Sequence, residues 1–210
     1  MKRLAKISLL ALVVPLLYGT LLLPSPFQAE LPNTELPVLI TSCGQSPGAN
    51  MVKALFMRLK FEAEPKAYEM DPLAAAGILK TAKEGGTPYR SLIIVMGGSL
   101  KGMGAAGISI DDEIDRIKDL IEEARNQGIT IIGSHIEGKK RRAQGAAPGD
   151  NTDELSIDTV APESDLLLIN SEGNEDNRFS VIAEEKNIPL IEVEKNLELL
   201  EKLKELFGRE

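Results

Sequence analysis

The chain has 210 residues, a formal net charge of −8, 4% aromatic residues and no tryptophan. A phosphate backbone is repelled by that charge and bases find few rings to stack on, so nucleic acid is excluded as a partner. One cysteine and one histidine rule out an internal disulfide, argue against a structural zinc site and call for no cofactor.

The first element in chain order is an address. Lys2, Arg3 and Lys6 precede a stretch, residues 7–29, that carries no charge, with its apolar run from Ile7 to Leu23. Positive residues before such a run describe a signal peptide or an N-terminal membrane anchor over residues 1–29, and both forms stay open. The positive end stays in the cytoplasm, which places the remainder outside it, secreted or anchored to the membrane. Residues 30–36, in a stretch containing Pro32 and Pro37, read as a linker, and residues 37–210 as one domain.

Within that domain one pattern repeats: an apolar run, a glycine-rich or polar loop, then an amphipathic helix. The runs are Val38–Ser42, Ser91–Met96, Thr130–His135, Asp165–Asn170 and Pro189–Val193. They are short, rich in β-branched residues and apolar on both faces, as strands buried inside a parallel sheet are. A weaker strand is expected at Pro65–Glu69, at an edge. Helices are expected from Ser46-Pro47 to Leu59, over Leu73–Lys83 after Asp71-Pro72, over Ile110–Asn126 capped by Ser109, over Asn177–Lys186, and over Asn196–Phe207 with Asn196 as cap. Alternation of this kind predicts an α/β fold with a doubly wound, mostly parallel sheet of five or six strands, a Rossmann-like or flavodoxin-like three-layer sandwich. Its ligands bind beyond the carboxyl ends of the strands.

Four loops leave those ends. In the first, Ser42, Cys43, Gly44, Gln45 and Ser46 join a strand to a helix N-terminus, where free N–H groups favour an anion and a thiolate. A phosphatase-type loop is excluded, because Ala49 stands where an arginine is needed. The second runs from Gly97 to Gly107 and includes Gly98, Ser99, Lys101, Gly102 and Gly104. Gly102, Gly104 and Gly107 spell a dinucleotide fingerprint, but it follows a middle strand, and Glu122 and Glu123, some twenty residues on, fall on a helix instead of ending a strand. The loop reads better as a flexible cradle of N–H groups that, with Lys101, holds a carboxylate or phosphate. The third, from Ser134 through His135, Glu137, Lys139, Lys140, Arg141 and Arg142 to Asn151, is long enough to suggest function. Its basic run suggests an anion site near His135, and Asp150, Asp153 and Glu154 could equally neutralise that run internally. The fourth, Ser171–Arg178, lacks calcium-loop spacing and reads as a solvated turn.

The stretches Pro37–Gly48 (PVLITSCGQSPG), Ser99–Asp112 (SLKGMGAAGISIDD) and Ala143–Ile157 (AQGAAPGDNTDELSI) resemble a family of exported bacterial proteins known as domain of unknown function 6305. The resemblance spans nearly all of residues 37–207 and implies an export signal and a single domain. It supplies no catalytic residue or substrate.

Two functions follow from the residues. The first is an extracytoplasmic domain that binds a small anionic or polar ligand through Ser42, Gly44, Gln45, Ser46, Gly98, Ser99, Lys101, Gly102, Gly104, Glu137, Arg141 and Arg142, acting as a homodimer or with a protein partner. The alternative is a hydrolase or transferase with Cys43 as nucleophile and His135 as base. An interaction module without a small ligand is a third reading.

Overall fold

The computed structural model describes residues 29–62, 66–85, 89–143 and 151–208. The expected signal or anchor therefore lies outside the described residues but for Ala29. Among the described residues six strands are formed: β1 (Val38–Cys43), β2 (Tyr68–Met70), β3 (Ser91–Met96), β4 (Thr130–His135), β5 (Leu166–Asn170) and β6 (Leu190–Val193). All pair in parallel, in the order β2-β1-β3-β4-β5-β6. This is the flavodoxin-like order with one further strand, and its switch point lies between β1 and β3. The weak edge strand is present, shifted to Tyr68–Met70.

β1 and β3 are buried over their whole length and β4 and β5 over all but one end residue, which is why their sequences read as continuous apolar runs. Residues alternate between two layers. Leu39, Leu92, Ile94, Ile131 and Ile169 face one core layer; Val38, Ile40, Ile93, Ile132 and Leu168 face the other. Burial of each such side chain contributes roughly 1.5–3 kcal/mol.

The helices are α1 (Gly48–Leu59), α2 (Ala76–Glu84), α3 (Leu100–Ala106), α4 (Ile110–Asn126), α5 (Thr152–Val160), α6 (Arg178–Lys186) and α7 (Asn196–Phe207). Leu79 of α2, Ile117 and Leu120 of α4, Ile157 of α5 and Phe179 of α6 cover the first layer. Val52 and Phe56 of α1 and Leu199, Leu203 and Phe207 of α7 cover the second. Phe56 and Phe207 meet with ring centroids 5.4 Å apart. α4 has the expected bounds. Ser109 caps it and Asp112 bonds back to the Ser109 N–H, closing a capping box.

Two expectations are corrected. The glycine segment after β3 is a helix, not a flexible cradle: Ser99 caps α3 by accepting from the Gly102 N–H at 3.1 Å, and Gly107 ends it with a left-handed φ of 70°. The segment after β4 is also broken by α5, capped by Asn151, whose side chain accepts from the N–H groups of Asp153 and Glu154. In addition α2 begins at Ala76, a few residues late, because Asp71 spends its carboxylate on the Leu73 N–H in a local turn.

Candidate functional site

At the switch point the exits of β1 and β3 are stitched together. Gln45 and Gly98 form an isolated antiparallel bridge, and the Ser99 N–H donates to the Gly44 carbonyl at 2.7 Å. The approach is so close that a Cβ on Gly44, which sits at φ +98°, would stand 2.5 Å from the Gly97 oxygen, and one on Gly102 would stand 2.1 Å from the Gln45 oxygen. These glycines serve loop-on-loop packing.

The backbone donors expected to cradle an external anion are given to the chain's own carboxylates. The Gly44 N–H donates to buried Glu113 of α4 at 2.8 Å. The Gly48 N–H, at the start of α1, donates to Glu137 at 3.1 Å. The Gly98 N–H donates to Asp153 of α5 at 2.7 Å. Burial raises the Asp153 carboxyl above its ordinary value, against the pull of that N–H and of Arg141. Gln45 donates from its side chain to Glu113 and to the Pro72 carbonyl. Ser46 is buried, its Oγ accepting from the Gly48 N–H at 3.3 Å. Ser42 is buried on the α1 side of the sheet, and its Oγ makes no hydrogen bond. Arg116 completes the Glu113 site, pairing with that carboxylate at 2.9 Å and donating to the Ser42 carbonyl at 2.6 Å. The crevice at the switch point is closed by these contacts. Lys101 and Gly104 lie exposed on α3, outside it.

The two residues paired in the enzyme reading do not meet. Cys43 on β1 and His135 on β4 are separated by β3, which puts the strands roughly 10 Å apart. Cys43 is fully buried, and burial, reinforced by the Glu113 charge, raises its thiol far above the usual range despite the opposing pull of Arg116. His135 is also buried, with Nδ1 3.1 Å from the Met96 carbonyl oxygen and Nε2 3.1 Å from that of Gly138. Both ring nitrogens are thus committed to backbone. Burial lowers its pKa; the two carbonyls and Glu137 oppose that, while Arg142 adds to it.

Arg142 also departs from expectation. Its side chain is 1% exposed and turns inward. It donates to Glu154 at 2.9 Å, to Asp176 at 2.6 Å and to the Gly173 carbonyl, and lies 5.4 Å from the Phe179 ring centre. Arg178 pairs with the same Glu154 and with Asp158. This network ties the exits of β4 and β5 to α5 and α6, so Arg142 is a fastening and not a ligand contact.

Among the described residues, a pocket of about 590 Å³ opens at the strand exits on the α1 side. Pro47, just before α1, and Met51 of α1 form one wall. Ile136, Glu137, Gly138, Lys140 and Arg141, on the turn after β4, form the second, and Asn170 and Glu172 after β5 form the third. Arg141 pairs with Glu137 at 3.3 Å and donates to the Gly98 carbonyl at 2.8 Å, which holds its guanidinium at the mouth. Glu137 and Arg141 were expected in the site. Met51 and Asn170 were not, because nothing in their spacing marks a helix side and a strand end as neighbours. A second cleft of about 1090 Å³ runs along the free edge of β6 between α6 and α7, away from the other strand exits. Among the described residues no cluster of His, Cys, Asp and Glu could hold a metal ion, and no helix is long and apolar enough to cross a membrane.

A comparison with curated proteins gave no match. Among solved structures, the chain is similar to the psychrotrophic esterase EstA from Pseudoalteromonas sp., in a crystal structure described as inhibited by monoethylphosphonate. The identity is 12%, the TM-score 0.32, and the alignment covers 77% of this chain and 78% of that one. A similarity that distant transfers neither an activity nor a site. Residues 35–207 match the model of the family described as Domain of unknown function (DUF6305), and the chain belongs to that family.

Proposed function

We propose that this domain binds a small polar or anionic ligand in the pocket bounded by α1 and the turns after β4 and β5, and that it does so outside the cytoplasm. The observation that carries the reading is the pocket itself. It is of ligand size, it opens at the carboxyl ends of the strands, and Lys140 and Arg141 stand beside the N-terminus of α1. Glu137 now takes the first N–H of that helix and the Arg141 guanidinium, which are the partners an incoming carboxylate or phosphate would seek. The extracytoplasmic location rests on Lys2, Arg3 and Lys6 before an uncharged run. If that segment is retained it is the membrane partner. A homodimer or a protein partner stays part of the proposal. No observation favours Cys43 with His135 as a catalytic pair.

A thermal-shift series with inorganic phosphate and short dicarboxylates tests the reading. The expected result is a rise in Tm with phosphate or a dicarboxylate that is lost in Lys140→Glu and retained in Lys101→Glu. Equal responses from the two variants, or no rise with any of these anions, would overturn it.

A further inference from the structure

We propose that residues 23–28, which lead into the domain, lie antiparallel along the free edge of β6 as one further strand and fill the cleft between α6 and α7. Among the described residues nothing pairs with that edge. The Leu167 N–H of β5 donates to the Pro189 carbonyl at 3.0 Å. By the alternation of a parallel ladder, the backbone groups of Ile191 and Val193 also face β5, and those of Leu190 and Glu192 face the cleft. Such an edge takes an added strand through main-chain hydrogen bonds. Ala183 of α6, Ile188, Leu190, Ile191 and Leu206 of α7 give the cleft its apolar lining, which Leu31 joins while 42% exposed.

The chain itself supplies the occupant. Ala29 and Leu31 already line the cleft, and the Thr34 hydroxyl is pinned to the Leu206 carbonyl at the start of the sheet. Residues ahead of Ala29 that follow β6 therefore run against it. They reach toward the end closed by Asn174, which donates to Ser180 at 2.8 Å and to Glu192 at 2.7 Å. The four residues of β6 present about 13 Å of edge, which residues 23–28 cover when extended. The sequence Leu23-Pro24-Ser25-Pro26-Phe27-Gln28 fits this position. In an extended chain Leu23 and Phe27 continue the alternation of Ala29 and Leu31 and share their face. With the N–H groups of Ser25 and Phe27 directed at β6, Pro24 and Pro26 fall where an edge strand faces solvent and needs no donor. The segment is uncharged. The cleft carries Glu184, Glu192 and Glu205 against Lys202, so a second copy seated there meets like charge, and attachment at Ala29 holds the chain's own segment at an effective concentration on the order of mM.

The test is hydrogen exchange at the Leu190 and Glu192 amides, read by NMR on the full chain in detergent micelles. The expected result is slow exchange in the wild type. Exchange should be about tenfold faster or more in Phe27→Asp, which places a charge in the cleft, and in Ser25→Pro, which removes a donor facing β6. Gln28→Pro, whose lost N–H faces solvent, should leave the rates unchanged. Fast exchange in the wild type, or equal rates in Ser25→Pro and Gln28→Pro, would overturn the added strand. So would protection that rises with protein concentration, which assigns the edge to a second copy, and so would a chain isolated from its cells with residues 23–28 cleaved away. The three substitutions lie outside the ligand pocket, so the response to phosphate decides that reading separately.

Discussion

At Gly44, Gly48 and Gly98 the N–H groups that a sequence reader assigns to an external anion each donate to a carboxylate brought from a distant part of the chain. The prediction at this scale contrasts glycines that look alike in sequence. Gly44→Ala drives a Cβ into the Gly97 carbonyl at a left-handed backbone position and should cost ~2–5 kcal/mol in chemical denaturation. Gly104→Ala, on α3 with nothing within 4 Å, should be neutral or stabilising by up to ~1 kcal/mol. Cys43 gives a second contrast between chemistry and packing. Its buried thiol should resist thiol reagents in the folded chain and react only on unfolding. Cys43→Ser, which buries a hydroxyl in its place, should lose ~1–3 kcal/mol.

Among the elements, the fastening of α5 and α6 to the exits of β4 and β5 is made of charge. Glu154 is fully buried between Arg142 and Arg178, and removing one partner of a buried pair strands the other. Arg142→Met should therefore cost ~3–5 kcal/mol, read as a drop in Tm, whereas Lys140→Met at the pocket surface should stay within ~0.5 kcal/mol of wild type. The same elements show how much was legible in the sequence. The central strands and α4 could be read almost to the residue, because buried apolar runs and a Ser109–Asp112 capping box are local signals. α3 and α5 were hidden because glycine and polar residues disguise short helices whose covering comes from tertiary contacts. Their caps, Ser99 and Asn151, were the available signs. Of the expected site, Glu137 and Arg141 line the pocket, whereas Arg142 turns inward to Glu154, one of the acids able to neutralise the basic run, and to Asp176, whose proximity no spacing reveals.

For the molecule as a whole, strand order decides where the opening lies. The order β2-β1-β3-β4-β5-β6 places the switch point between β1 and β3, yet that crevice is shut and the open pocket sits beside it. At the opposite end the lead-in is pinned across the start of the sheet: the Thr130 hydroxyl donates to the Asn33 carbonyl at 2.8 Å, that of Thr34 to the Leu206 carbonyl at 2.6 Å, and Ser91 bridges Glu35. The chain thus enters at the end remote from the pocket. Acid should weaken the whole fold. The folded state lowers the pKa of His135, so the unfolded chain takes up that proton first. Its contribution is complete above about pH 6.5 and is lost as pH falls below it, by up to ~1.4 kcal/mol per unit, until the folded imidazole titrates too. Denaturation curves across that range, compared with His135→Gln, check the sign.

Amide chemical-shift mapping of the chain during titration with inorganic phosphate locates the ligand most directly. The predicted perturbations centre on Met51, residues 136–141 and residues 170–172, with Gly97–Gly104 unaffected. Shifts centred on Gly44–Ser46 and Gly97–Gly104 would show that the switch-point crevice opens to ligand after all, and would contradict the site described here.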